Sequence, residues 1–221
     1  LTALARTIDT AGYHYTHVEV RIDRNARTAS ITVAAPQIDE PTELNGILAR
    51  GANWWPLAMA RELDDAILML RANDCQVGTW ILKTRGDPER VLAVDAAARR
   101  HAQHWLVREV TGMLRRTLAR LDVSSRSMFA LIDANSCFAG TLLELALAAD
   151  RSYMLAAPDQ ADAPGIALSD MNFGSYATVA RLSRLESRFY GDTVAIERVR
   201  EAIGRRLDAA VARNCLRQVV S

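Results

Sequence analysis

Val18, Val20 and Ile22 alternate with Glu19 and Arg21, and Ala29, Ile31 and Val33 alternate again after Asp23-Arg24-Asn25-Ala26. A period of two on either side of an Asp/Asn turn predicts a hairpin with one buried face. Pro36 and Pro41 close it, because proline cannot donate to a strand ladder. Gly51 to Pro56 reads as a loop. Leu63, Ala66, Ile67 and Leu70 then recur at helical spacing, with Arg61, Asp64 and Asp65 on the other face. Val77 to Lys83 reads as a buried strand and Thr84 to Pro88 as a loop, by its Gly and Pro. A long helical pattern runs on to about Leu121, with Leu106, Val110, Met113, Leu114 and Leu118 on its stripe. Met128 to Ile132 predicts a second buried strand, Asp133 to Gly140 a loop, Thr141 to Ala149 a helix and Ser152 to Ala156 a short strand. Pro158 to Gly165 reads as a flexible surface loop. Two further helical patterns span Ala177 to Arg188 and about Ile196 to Cys215.

Strands alternating with helices predict an α/β fold with parallel strands. Residues 1–16 carry no period and read as a linker or docking arm, which leaves one domain over residues 17–221. The chain opens on Leu1 rather than methionine, as a fragment or processed chain would.

Charge narrows the partners. With 27 basic and 26 acidic residues the net charge is +1, unlike the basic face of a nucleic-acid binder. Three well-separated cysteines, Cys75, Cys137 and Cys215, argue against a disulfide framework and for a reducing compartment. No apolar run approaches the roughly 20 residues of a membrane span, and no signal peptide is visible. A cytoplasmic location is expected, with neither membrane nor nucleic acid as partner.

The stretch from Asn135 to Asp150 carries the most chemistry. It joins a buried strand to a helix through a loop containing Gly140. Amides at a helix start lack intrahelical partners and can receive developing negative charge. Glu144, one turn after Gly140, is placed to act as a general acid or base. The plainer alternative is that Thr141-x-x-Glu144 is a capping box. His101 with His104, and His14 with His17, lack further ligands at metal-site spacing, so no metal is expected. Arg99-Arg100 and Arg115-Arg116 read as solvated faces, and Trp54-Trp55 as a packing anchor.

The same stretch resembles the crotonase-family signature Asn-Gly-x-x-x-Gly-Gly-Gly-x-Glu-Leu-Ala-Leu-x-x-Asp. Asn135, Gly140, Glu144, Leu145, Ala146, Leu147 and Asp150 match it at unbroken spacing. Thr141 and Leu142 stand where the family has its second and third glycines. Val91-Leu92-Ala93-Val94-Asp95 resembles the family's Ala-Gly-Ala-Asp element, which places Leu92 on the other oxyanion donor. Leu168 to Gly174 resembles Leu-Pro-Glu-x-x-x-Gly, which places Asp170 on the second acid/base. The resemblance implies a crotonase-like (ClpP/crotonase) ββα spiral core. It also implies an oxyanion hole from the amides of Leu92 and Thr141 beside Gly140, with Glu144 and Asp170 as catalytic carboxylates.

Gly51-Ala-Asn-Trp-Trp-Pro-Leu57, Ala60 to Ile67, Leu114 to Arg120, Ser136 to Thr141 and Asn172-Phe173-Gly174 look like the 2,3-epoxybenzoyl-CoA dihydrolases. The likeness falls on the C-terminal of that family's two crotonase-like halves, short of its last helical segment. It implies a ring-opening lyase that uses water on an epoxidised benzoyl-CoA. The implied partner is a CoA thioester substrate, with no cofactor beyond the CoA it carries. The chain would be a homo-oligomer or be paired with a second crotonase-like half. Two alternatives remain open: a catalytically degenerate half that scaffolds an active one, and a hydratase or isomerase on another CoA thioester.

Overall fold

The computed structural model describes residues 2–156, 163–190, 192–216 and 219–220. The chain begins with strands β1 (Thr7–Asp9), β2 (Gly12–His14), β3 (Val18–Asp23) and β4 (Thr28–Ala34). Helices α1 (Leu44–Arg50) and α2 (Trp55–Asn73) lead to β5 (Thr79–Arg85), and α3 (Pro88–Arg100) and α4 (Trp105–Asp122) lead to β6 (Ser127–Ile132). Then come β7 (Phe138–Ala139), α5 (Gly140–Ala148), β8 (Arg151–Met154) and β9 (Ile166–Ala167). The rest comprises α6 (Arg184–Arg188), α7 (Thr193–Arg200), β10 (Arg206–Leu207), α8 (Ala209–Leu216) and β11 (Val219–Val220).

The main sheet runs β1-β2-β3-β4-β5-β6-β8-β11. Its first four strands form an antiparallel meander, and β4, β5, β6, β8 and β11 are parallel. Parallel neighbours need crossovers, which α1–α2, α3–α4 and α5 supply. A small second sheet, β10-β9-β7, pins the residues just before α5. From Gly140 to Leu147 every residue of α5 is buried. A helix that is apolar all round belongs at the centre of a domain, and Glu144 is the one charged residue it carries there.

The expected hairpin is present, with Val20 opposite Ile31. The supposed arm is a correction: residues 7–14 form β1 and β2 and extend the sheet. Gly12, at φ +148, permits this, because a Cβ there would run into the Val20 carbonyl. The loop expected at residues 51–56 is a single 3-10 turn followed by the start of α2, with Pro56 in its first turn. The long helical pattern is two helices. Asp87 caps α3 by accepting from the Glu89 N–H, with Pro88 in its first turn, and α3 ends at His101. His104 then caps α4 through Nδ1.

Two further differences follow from capping and turns. The helix expected from Ala177 begins only at Arg184, where Ser183 and Glu186 form a capping box. The last pattern splits into α7, β10 and α8. Residues 158–162 of the expected surface loop lie outside the described residues. Among the described residues, no helix is long and apolar enough to cross a membrane.

Candidate functional site

The start of α5 is built from its surroundings. The Cys137 N–H donates to Thr84 Oγ1 at 2.9 Å, which ties the incoming loop to the end of β5. Ala139 is extended, and Gly140 turns the chain at φ +46. A Cβ on Gly140 would collide with the Asp95 carboxylate, so both the backbone angle and the space call for glycine. The Thr141–Glu144 capping box does not form: Ala139 is the cap residue, without a side-chain hydrogen bond.

The amide of Thr141 is not free. It donates to Asp95 Oδ2 at 2.8 Å, and the Thr141 hydroxyl donates to Asp95 Oδ1 at 2.5 Å. The Ser169 hydroxyl adds a third bond, to Oδ2 at 2.6 Å. Having given its proton to Asp95, the Thr141 oxygen accepts from the Tyr176 hydroxyl, 2.7 Å away. Asp95 is 3% exposed. Burial pushes its carboxyl up to about 6 against the pull of these donors, and the nearby Glu144 charge adds to the rise.

Glu144 lies one turn further on and is 1% exposed. Its Oε1 accepts from Asn172 Nδ2 at 2.7 Å and its Oε2 from Arg184 Nη1 at 2.9 Å. Asn172 also donates to the Gly140 carbonyl. Arg184, itself buried, donates further to the Leu118 carbonyl and to Asp122 Oδ1, at 3.0 and 2.9 Å. Burial raises the Glu144 carboxyl, while Arg184 and Asn172 pull it back. The carboxylate thus joins α5, α6 and α4 at one point. Removing one partner of such a pair costs about 3–5 kcal/mol, because the other is left charged and dry.

The remaining expected residues lie apart from these. Leu92 sits in the second turn of α3, beyond the four amides that a helix start leaves unpaired. Asp170 opens a 3-10 turn capped by Ser169 and is exposed. It borders a pocket of about 410 Å³ with Leu92, Asp95, Arg99 and Ser169. A larger cleft of about 880 Å³ lies at the ends of β4 and β5, with Arg85, Arg90, Leu92, Asn135 and Arg206 in its wall. The structure therefore brings Gly140, Thr141 and Glu144 together in the interior, and leaves Asp170 and Leu92 at the surface pocket.

Sequence reading missed the partners. Asp95 served only to locate Leu92, Asn172 entered only as a letter of the Asn172-Phe173-Gly174 likeness and Arg184 only as a letter of Arg181-Leu-Ser-Arg-Leu185, which resembles the family's Arg-Leu-Pro-Arg-Leu helix; neither was paired with Glu144, and nothing pointed to Tyr176. The Ser-x-x-Glu pattern at Ser183 was a usable sign of where α6, and hence Arg184, begins. His101 Nε2 lies 3.0 Å from the Thr42 carbonyl, and His104 is a helix cap. Among the described residues, no group of three or more His, Cys, Asp or Glu is placed to hold a metal.

Comparison with known proteins fits this architecture. No family model matches the chain. It is 52% identical over 212 residues, 96% of its length, to benzoyl-CoA-dihydrodiol lyase of Aromatoleum evansii. Solved structures similar to it include enoyl-CoA hydratase from Bacillus anthracis, with TM-score 0.56, 18% identity, and coverage of 93% of this chain and 70% of that one. Enoyl-CoA hydratase from Bacillus halodurans gives TM-score 0.55 at 14% identity, covering 93% and 74%. The chain therefore has the crotonase fold of the enoyl-CoA hydratases, and it spans 38% of the lyase it matches, within that protein's C-terminal half.

Proposed function

We propose that this chain is the supporting crotonase-fold half of an acyl-CoA-acting, ring-opening lyase, paired with a second crotonase-like half that holds the reacting atoms. The substrate class is an epoxidised benzoyl-CoA or a related cyclic acyl-CoA. It is drawn from the identity to benzoyl-CoA-dihydrodiol lyase. Such a reaction consumes water and calls for no cofactor beyond the CoA on the substrate, and the cytoplasm is its natural setting.

One observation carries the supporting role: Glu144 is sealed in an ion pair with Arg184 and a hydrogen bond from Asn172. An acid/base must reach the proton it moves, directly or through one water. A carboxylate with both oxygens bonded inside the core serves packing and position instead.

A second reading has the chain itself turn over the thioester. The amides of Leu92 and Thr141 would hold the carbonyl oxygen, and Glu144 and Asp170 would manage the proton and the water. The cleft of about 880 Å³ and the exposed Asp170 favour it. It requires Asp95 to leave Thr141 and Arg184 to leave Glu144.

Mass spectrometry separates the two. Purified chain is mixed with 2,3-epoxybenzoyl-CoA and a panel of cyclic acyl-CoAs, with Glu144→Gln alongside. The supporting role predicts no turnover by either protein. A product that gains water and loses formate, made by the wild type and absent in the variant, overturns it in favour of the second reading.

A further inference from the structure

Away from α5, a hollow of about 500 Å³ is walled by residues 2–5, residues 36–38 with Glu40, and the first two turns of α2. It shares Pro36 and Gln37 with the larger cleft, but none of Leu92, Gly140, Thr141, Glu144 and Asp170 lines it. Its walls are tied to α2. Glu62, 5% exposed, accepts from the His17 and Val18 amides at 2.6 and 3.1 Å, which fixes His17 against the helix. Arg61 donates to the Thr2 carbonyl at 2.5 Å, and Arg6 pairs with Asp65, so residues 2–6 are held to the same helix.

Buried polar atoms are normally hydrogen-bonded, and among the described residues two in this wall are not. The Glu40 side chain is 5% exposed; its Oε1 accepts from Arg50 Nη2 at 3.1 Å, and its Oε2 is buried without a partner. His17 Nδ1 is buried without one as well. Burial holds His17 below its ordinary value, so it is neutral at pH 7.5. The charges of Glu40 and Glu62 are balanced by those of Arg50 and Arg61, so a charged ligand would upset a neutral wall. A carboxylate would also bring no proton to Glu40. A primary carboxamide fits: its NH2 supplies a donor for Glu40 Oε2, and its carbonyl accepts from a guanidinium beside it. Leu4, Ile38 and Trp55 offer apolar wall for the rest of the molecule, and the volume is that of a small-molecule site. We propose that this hollow binds a small uncharged molecule with an apolar body and a primary carboxamide, which Glu40 and Arg50 recognise.

Benzamide is the probe. Benzoate is its isostere without the N–H donors, and benzamidine is its cationic isostere. Each is titrated into the whole chain at pH 7.5 and followed by saturation-transfer NMR on the ligand. The expected result is saturable benzamide binding in the millimolar range, with benzoate at least about tenfold weaker, because it would set a like charge against Glu40. Glu40→Leu removes the acceptor, and Arg50, which reaches solvent, tolerates its loss. Ala58→Phe fills the hollow from the side of α2. Each variant is expected to weaken benzamide binding by about tenfold or more, with an unchanged far-UV circular dichroism spectrum.

Benzoate that binds as tightly as benzamide overturns the proposal. So does benzamidine that binds more tightly, which would make this a cation site. Benzamide that never saturates overturns it too, as does benzamide that binds either folded variant as well as it binds wild type. Should one variant fail to fold, the other variant and the comparison of isosteres on wild type decide. None of these results bears on the supporting role, which the turnover assay tests by itself.

Discussion

At the scale of residues, two buried carboxylates decide what the chain can do. Glu144 is the letter of the signature that sequence reading singled out, and it sits where the spacing put it, one turn after Gly140. What the spacing could not convey is its partners, because Asn172 and Arg184 arrive from 28 and 40 residues away. Breaking the buried pair by Arg184→Met or by Glu144→Leu alone is expected to cost about 3–5 kcal/mol, whereas the double variant Glu144→Leu with Arg184→Met loses much less than the sum of the two. Urea unfolding of the single and double variants checks this, and simple additivity would contradict it. Asp95 carries a pH signature. Its carboxyl is raised to about 6 from the ordinary 3.8, so the folded chain keeps a proton that the unfolded chain has lost. Its contribution to stability is complete below about pH 3.8 and declines as pH rises to about 6. The advantage of wild type over Asp95→Asn, read from urea midpoints at each pH, is therefore expected to shrink across that window. A difference that stays constant from pH 4 to 6.5 would contradict the assignment.

At the scale of elements, periodicity found what packing dictates and missed what caps dictate. The hairpin of β3 and β4 was legible because one face is buried, which enforces a strict period of two. The strands β5 and β6 were legible as apolar runs. The break between α3 and α4 was not, because an apolar stripe continues across it and only the cap at His104 marks the second start. The strands β1 and β2 were invisible for a different reason: β1 is exposed along its whole length, so it has no buried face to announce it. Caps also set what single changes cost here. Asp87→Ala removes the side-chain acceptor at the start of α3 and is expected to destabilise by about 1 kcal/mol. Its urea midpoint should fall while the slope stays that of wild type. A loss near zero would mean that Pro88 and packing alone hold that end of the helix.

At the scale of the whole molecule, the fold was open to sequence reading because the motif from Asn135 to Asp150 places a strand, a turn and a central helix in fixed order. Sequence reading offered both an active and a supporting role and did not choose, since the same letters serve an open site or a sealed one according to which side chains face them. Asp95 against the Thr141 amide and Arg184 against Glu144 make this one sealed. A supporting half needs something to support. The expectation is that the chain co-purifies with a second crotonase-like chain or half supplied to it, seen as a stoichiometric complex on size exclusion. Failure to associate with any crotonase-fold partner would weaken the pairing. The most direct measurement of the central claim is calorimetric titration of the wild-type chain with benzoyl-CoA. A sealed half predicts no saturable heat up to millimolar ligand. Stoichiometric binding at micromolar concentration would contradict it, by showing that the thioester position is open despite Asp95.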